Sequence, residues 1–444
     1  MSEAPPDPQA LLRSREYLKL LALAALIGVP VSAIAYGFLK LVAELQHWLY
    51  VSLPKDLGLD AAPWWWPAPL LVLGGLLVAL AIQRLPGTGG HSPADGFAAG
   101  GALPPIELPG VACAALATLS FGAVLGPEAP LIAIGSGLGV LAVQLAARGA
   151  PQRAAAIIAA AGSFAAIAAL VGSPLIGAVL LLEATGLGGP MLILVLLPGL
   201  LAAGIGDLIF LGLDSLTGFG TFSLTIPGLP PFDHITVADF LYALLIGGAA
   251  PFVGQGGRRL AIALRARVEP RMTLLTPLVG LAVAGLAILF HAITGKDVSM
   301  VLFSGQDQLP ELLQQGAGWS AAVLVAVVAF KSLAYALSLS CFRGGPIFPA
   351  VFIGAAGGLA ASHLPGLDMV PAVAMGVGAM SCTMLNLPIS SVLLATLLLG
   401  KDGVQVMPVV IVAVAVAYIV TARLTPLPAK AATAAPPAAR PTPV

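Results

Sequence analysis

Few residues of this 444-residue chain can do chemistry, and one of them stands in an unusual place. Glu128 follows Gly126-Pro127 and opens a run, through Gly139, with no other charge before Arg148. Proline suits the first turn of a helix, where no N–H is needed, and glycine lets another backbone come close. A carboxylate at such a start is surrounded by unpaired N–H groups that carry roughly half a positive charge. At a solvated surface it would be an ordinary acidic residue favouring a helix end. Inside a membrane an ionisable side chain costs about 2.5–3.5 kcal/mol or more, and it is a functional candidate. Held by those donors, it occupies the place of an anion, and protonation releases it. Glu128 is thus read as a gate and a proton acceptor in one group.

A matching segment lacks the carboxylate. Gly126 to Gly139 and Gly345 to Gly358 share the pattern GPxxPxxxIGxxxG at an offset of 219. A second pair follows each, because Gly162 lies twelve residues before Pro174 and Gly376 twelve before Pro388, at an offset of 214. Two matched pairs in the same order read as duplicated halves. Runs as short as Pro174 to Glu183 cannot cross a bilayer alone, which marks discontinuous helices whose N-termini meet near the midplane. Such ends bind anions without a full cation. The scarcity of Lys and Arg in the apolar runs fits an anion held by backbone dipoles, since partial charges release what fixed charges would retain.

Other chemistries find no pattern. Cys113, Cys341 and Cys382 sit in apolar runs without a CxxC pair and read as small core residues. The five histidines form no HExxH motif, and neither a GxSxG elbow nor a phosphate-binding GxxxxGK loop occurs. No metal, no cofactor and no enzymatic activity are expected.

The elements that must position Glu128 follow from composition. Only 9% of the residues are charged, where a soluble domain carries about 25%, and apolar residues plus glycine reach roughly 71%. With 20 basic and 20 acidic residues, the chain is neither a cytosolic globular enzyme nor a nucleic-acid binder. Such an apolar composition also excludes disorder as its general state. Apolar runs lie near 17–50, 66–83, 107–147, 154–185, 190–213, 236–253, 273–293, 319–341, 347–363, 368–400 and 406–425. Several reach the about 20 residues that a bilayer requires, and they are continuous rather than alternating, which argues against barrel strands. The expected fold is an all-α polytopic membrane protein. Residues 1–16 form an N-terminal segment, 17–232 a first membrane repeat, 233–424 a second, and 425–444 a disordered Pro/Ala-rich tail. Arg13, Arg15 and Lys19, then Arg148 and Arg153, then Arg258, Arg259, Arg265, Arg267 and Arg271 mark the cytoplasmic side of a cell (inner) membrane protein with both termini inside. The arginine-rich middle is read as a topology signal, not a ligand site.

At these residues the sequence resembles the CLC family of chloride channels and proton-coupled chloride exchangers, from the first span to about Leu424. Gly126-Pro-Glu-Ala-Pro130 is similar to the family's Gly-Lys/Arg-Glu-Gly-Pro element, whose glutamate is the external gate. The resemblance implies that role for Glu128, with Gly126 and Ala129 lining the anion path. Gly344-Gly-Pro-Ile-Phe-Pro349 is similar to the GxFxP element, whose amides help hold the central anion, implying Ile347 and Phe348. The run Gly162 to Glu183 is similar to the glycine-rich segment that ends in a proton-pathway glutamate. The resemblance further implies two inverted-topology repeats and a homodimer with one pore per subunit, in contact with membrane lipid.

The departures carry their own expectations. The family's first anion-coordinating loop, G-S-G-x-P, is represented by Gly87-Thr-Gly-Gly-His-Ser-Pro93. Alignment on the proline puts Gly90 at the serine, whereas alignment on G-x-G puts Thr88 there. Either a hydroxyl of Thr88 or Ser92 donates to the anion, or N–H groups of glycines such as Gly89 and Gly90 serve alone. His91 is read as a residue of the cytoplasmic mouth. Pro346 stands where an anion-facing amide is expected and has no N–H. The coordinating tyrosine of the last helix has no match in Ala422-Arg-Leu-Thr-Pro-Leu-Pro428, and Tyr418 lies about two turns early. Ala184 replaces the internal proton acceptor of coupled exchangers, leaving Glu183 as a proton-pathway residue or a packing or dimer contact. The expected function is transport of a small inorganic anion, chloride first, past a glutamate gate with weak or absent proton coupling. A proton-coupled exchanger of chloride or fluoride, a non-conducting scaffold of the same fold, an organic-solute transporter and an intramembrane enzyme are the alternatives.

Overall fold

A computed structural model describes residues 12–97, 101–146, 151–186, 190–218, 232 and 234–425. The expected tail from 426 onward, and the N-terminal segment up to residue 11, lie outside the described residues. The first half supplies α1 (Arg15–His47), α2 (Pro67–Arg84), α3 (Leu108–Ser120), α4 (Glu128–Ala146), α5 (Gln152–Val171), α6 (Pro174–Thr185) and α7 (Pro190–Thr217). The second supplies α8 (Val237–Val268), α9 (Met272–Thr294), the short α10 (Leu309–Gln315), α11 (Ala321–Cys341), α12 (Ile347–Ala361), α13 (Met369–Leu385), α14 (Pro388–Leu398) and α15 (Gly403–Leu424). Among the described residues, eight helical segments are long and apolar enough to cross a membrane, and α6, α12, α13 and α14 are apolar but shorter. The protein is a multi-pass helical membrane protein. Leucines such as Leu26, Leu208 and Leu245 are more than 60% exposed, as helix faces turned to lipid require.

The long apolar runs break where the sequence changes its backbone chemistry. The run 154–185 divides at Gly172, whose φ of 63° ends α5, and Pro174 then opens α6. The run 368–400 divides in the same way at Asn386, with a φ of 60°, before Pro388 opens α14. Both left-handed residues close the preceding helix by donating their N–H, Gly172 to Ala168 O and Asn386 to Cys382 O. These breaks fall at matched positions of the repeat.

The repeated glycines explain the packing of the two halves. Gly135 of α4 meets Gly162 of α5, and Gly354 of α12 meets Gly376 of α13, each pair so close that a Cβ on either member would collide with the other's backbone. Small residues at such crossings let helices approach closely where lipid supplies no hydrophobic drive between them. The α4–α5 and α12–α13 pairs therefore form two equivalent packing units. Among the described residues between α2 and α3 the chain makes single turns, at Pro86–Gly89, Pro93–Asp95 and Pro105–Glu107. Arg265 of α8 fastens this segment through an ion pair to Asp95 at 2.6 Å, and also pairs with Glu269 at 2.6 Å.

Candidate functional site

α3 and α11 end inside the protein, and each is followed by an extended segment leading to a helix start. The two segments pair with each other. Gly126 N–H donates to Gly345 O at 2.8 Å and Gly345 N–H to Gly126 O at 2.7 Å, the isolated antiparallel bridge among the described residues. Val124 N–H donates to Ser338 Oγ at 3.0 Å, and Arg343 N–H to Thr118 Oγ1 at 3.1 Å. Positions 124 and 343 differ by the same 219 as 126 and 345, so the crossing is reciprocal between the halves. Irregular backbone at membrane depth is tolerated only where such polar groups are satisfied within protein.

The crossing brings the starts of α4 and α12 to one side chain. Glu128 is fully buried, and its Oε1 accepts from Phe348 N–H at 2.8 Å. Oε2 has no hydrogen-bond partner. Gly126 and Gly345 press against the carboxylate so closely that a Cβ on either would overlap it. Two helix N-termini thus converge on a group that has room for an anionic head and little else.

A cavity lies on each side of this junction. The first, about 210 Å3, is lined by Gly89, Gly90 and His91, by Ala129 and Ser136 of α4, and by Arg343 and Gly344. The second, about 460 Å3, has Pro346, Tyr335, Arg258, Glu183, Thr383 and Tyr418 among its lining residues. Arg343 is only 8% exposed. Its Nε and Nη2 donate to Thr88 O at 3.3 Å each, and its Nη1 to Phe342 O at 3.2 Å.

Fixed cations accompany the backbone donors in this region. Arg343 lines the first cavity and Arg258 the second, while Lys331 is fully buried in α11. Each cation offsets its desolvation by donating to main-chain carbonyls, so none requires a carboxylate partner. Arg343 and Lys331 escaped the sequence reading because single basic residues in apolar runs leave no periodic signal. The available cue was an arginine directly before the Gly344-Gly345 pair.

The sequence-expected residues separate into three groups. Gly126, Glu128, Ile347 and Phe348 meet at the junction, and Gly89, Gly90 and Ala129 line the first cavity. Thr88 is exposed, with a φ of 49°, and contributes its carbonyl to Arg343. Ser92 lines neither cavity and precedes the Pro93–Asp95 turn. Glu183 lines the second cavity, but both carboxylate oxygens are engaged. Oε1 accepts from Ile389 N–H at 2.8 Å, and Oε2 accepts from Ser390 N–H at 2.8 Å and Ser390 Oγ at 2.7 Å. It caps the N-terminus of α14 from the other half of the chain.

The family profile described as Voltage gated chloride channel matches residues 74–422. The chain belongs to that family. A curated relative in Escherichia coli O7:K1 (strain IAI39 / ExPEC), the putative ion-transport protein YfeO, is 31% identical over 382 residues, covering 84% of this chain and 85% of the relative. Among solved structures, a slow cyanobacterial Cl−/H+ antiporter superposes with a TM-score of 0.72 at 18% identity, covering 91% of this chain and 94% of the other. A CLC-type fluoride/proton antiporter superposes with a TM-score of 0.66 at 18% identity, covering 92% and 96%. A eukaryotic CLC transporter gives 0.67 at 17% identity, covering 92% of this chain and 72% of the other. These likenesses establish the CLC fold of two inverted halves with discontinuous helices. The chain is not an enzyme.

Proposed function

We propose that the protein transports a small inorganic anion, chloride first, through a path gated by Glu128. One observation carries this reading: a fully buried carboxylate accepts from Phe348 N–H at 2.8 Å at the meeting of two helix starts. The donors suit an anion, and the glutamate is the anion they hold in this conformation. Transport requires Glu128 to leave, and protonation is the physical means, because a neutral acid accepts from N–H groups more weakly than a carboxylate. Arg343 and Arg258 raise the local concentration of anions in the two cavities. Chains with this function assemble as dimers with one path per subunit, and the same is proposed here.

Proton coupling is proposed to be weak. Glu183 is occupied in capping α14, and Ala184 beside it cannot carry a proton. A proton-coupled exchange of chloride or fluoride is the second reading, favoured by the unpaired Oε2 of Glu128, which is free to take a proton. Efflux of chloride or fluoride from proteoliposomes with simultaneous pH recording tests both. Wild type carries a flux that Glu128→Ala alters. Absence of flux in both proteins would overturn transport, and uphill proton movement driven by an anion gradient would establish the exchanger.

A further inference from the structure

An open groove between α1, α2 and α3 stands apart from the gate and its two cavities. Its volume is about 450 Å3, and its walls include Leu45 of α1, Leu77 and Leu80 of α2, Leu116 of α3, and Phe121 just beyond that helix. The groove continues a surface turned to lipid. Leu77 is 38% exposed, and Leu41 and Leu73, one turn before Leu45 and Leu77, are each 45% exposed. From Leu77 to Arg84 at the end of α2 the helix rises by about 10 Å. That length fits within one leaflet, whose apolar half is about 15 Å deep.

One charged residue lines the groove. Arg84 closes α2 and is exposed, and among the described residues its guanidinium has no hydrogen bond, ion pair or ring contact. The cations near the gate are different, because Arg343, Arg258 and Lys331 all donate to main-chain carbonyls. Gln83, the residue before Arg84, is engaged with α9, its Oε1 accepting from Thr273 Oγ1 at 2.8 Å. An arginine that served topology alone would need no apolar channel ending at it. The planar guanidinium matches the oxygens of a phosphate, and its stem can lie on apolar surface while the head reaches the interface. No carboxylate lines the groove, so an ammonium or choline group would find no partner there.

We propose that this groove binds one anionic phospholipid, with an acyl chain between Leu77, Leu80 and Leu116 and the phosphate on Arg84. The apolar walls suit a chain and not a hydrated ion, and the lone cation selects a headgroup without a cation of its own. The groove shares no lining residue with either cavity, so the site is independent of the transport reading.

Cys113 supplies a reporter, since it lines the groove and is exposed, whereas Cys341 and Cys382 are buried. The test follows N-ethylmaleimide labelling of Cys113 in lipid-free detergent and with added dioleoylphosphatidylglycerol or dioleoylphosphatidylcholine, and counts retained lipid by native mass spectrometry. Phosphatidylglycerol should slow labelling at lower concentration than phosphatidylcholine does. Arg84→Gln should weaken phosphatidylglycerol binding about fivefold or more and abolish the preference, with unchanged melting in lipid-free detergent. Leu116→Trp fills the groove, keeps the guanidinium and should lower retention of both lipids. Arg423→Gln removes a like charge at the exposed end of α15, outside the groove, and should match wild type. Equal binding of the two lipids by wild type, or equal losses in Arg84→Gln and Arg423→Gln, overturns the proposal. Labelling of Cys113 as slow as that of Cys341 and Cys382 in lipid-free detergent also overturns it, by placing another part of the chain or a second copy on the groove. None of these readouts requires anion flux, so the site stands or falls separately from transport.

Discussion

The Gly126 and Gly345 backbones exchange both of their hydrogen bonds, at 2.8 and 2.7 Å, and each lies where an added Cβ would overlap the Glu128 carboxylate. The bridge therefore sets the size of the seat that the carboxylate occupies. Gly345→Ala should force the carboxylate away from Phe348 N–H, raise anion flux and reduce its response to pH. In a Glu128→Ala background the same substitution has no carboxylate to displace and should add little. Flux through the two single variants and the double variant gives the coupling directly. A Gly345→Ala effect of equal size in both backgrounds would locate the clash elsewhere.

Glu128→Gln separates charge from shape. The amide keeps the size of the side chain but is neutral at every pH. In wild type, lowering the pH protonates the carboxylate, weakens its hold on the Phe348 N–H and should raise flux, whereas raising the pH should close the path. Glu128→Gln should carry a flux that is high and flat across the same buffers. A pH response that survives in this variant would assign the titration to another group.

How much of this could be read from the sequence depends on what each residue contributes. The matched glycines and prolines announced the halves because they act through backbone geometry, which leaves a pattern: Gly135 with Gly162, and Gly354 with Gly376, meet as the two offsets imply. Glu128 was legible because a lone carboxylate in a long apolar run needs a reason. Thr88 and Ser92 were not resolvable, since four consecutive residues from Gly87 to Gly90 take positive φ and direct their polar groups in ways that spacing cannot convey. Arg343 was missed for the same reason, because its function appears only when the Thr88 carbonyl is placed beside it. The cap on α14 by Glu183 spans the two halves, from α6 to residues 389 and 390, and no local motif encodes such a contact.

That cap yields a prediction that distinguishes stability from proton movement. Glu183→Ala leaves the first N–H groups of α14 without their acceptors and should lower stability by about 1–2 kcal/mol, the usual loss for an N-cap. Thermal melting in detergent measures it. Glu183→Gln keeps one acceptor oxygen and should lose less. Proton flux should be unchanged in the better-folded variant. Loss of proton movement in Glu183→Gln with unaltered melting would restore Glu183 to the proton pathway.

Arg343 couples the first cavity to the loop that precedes α3. Arg343→Gln removes the positive charge and the paired donors to Thr88 O, leaving that carbonyl short of partners. Flux at low anion concentration should fall about tenfold, with part of it retained by Arg343→Lys, which keeps the charge but not the planar fork. Raising the anion concentration should recover most of the lost flux if the guanidinium attracts the anion. A deficit that persists at saturating anion would assign Arg343 to holding the loop.

Lys331 is fully buried, and its contacts point to a different task. Nζ donates to Leu302 O at 2.8 Å and to Met300 O at 3.3 Å, and it lies 4.3 Å from the centre of the Phe352 ring. Phe303, next in the chain, donates its N–H to Gly122 O at 3.1 Å, within the segment that leads to Gly126. The lysine therefore fastens the turn at 298–303, which in turn braces the segment that leads to Gly126. Lys331→Met fills nearly the same space but leaves two carbonyls without a donor, for a loss of about 1–3 kcal/mol. The absence of a burdensome buried charge works in the opposite direction, so the net change in melting should be at the low end of that range. Lys331→Arg retains donors and charge but adds bulk at a fully buried position, and it should destabilise more than Lys331→Met. In both variants the chloride affinity measured by titration should equal that of wild type, because Lys331 lines neither cavity. A fall in affinity with unchanged melting would instead place Lys331 on the anion path.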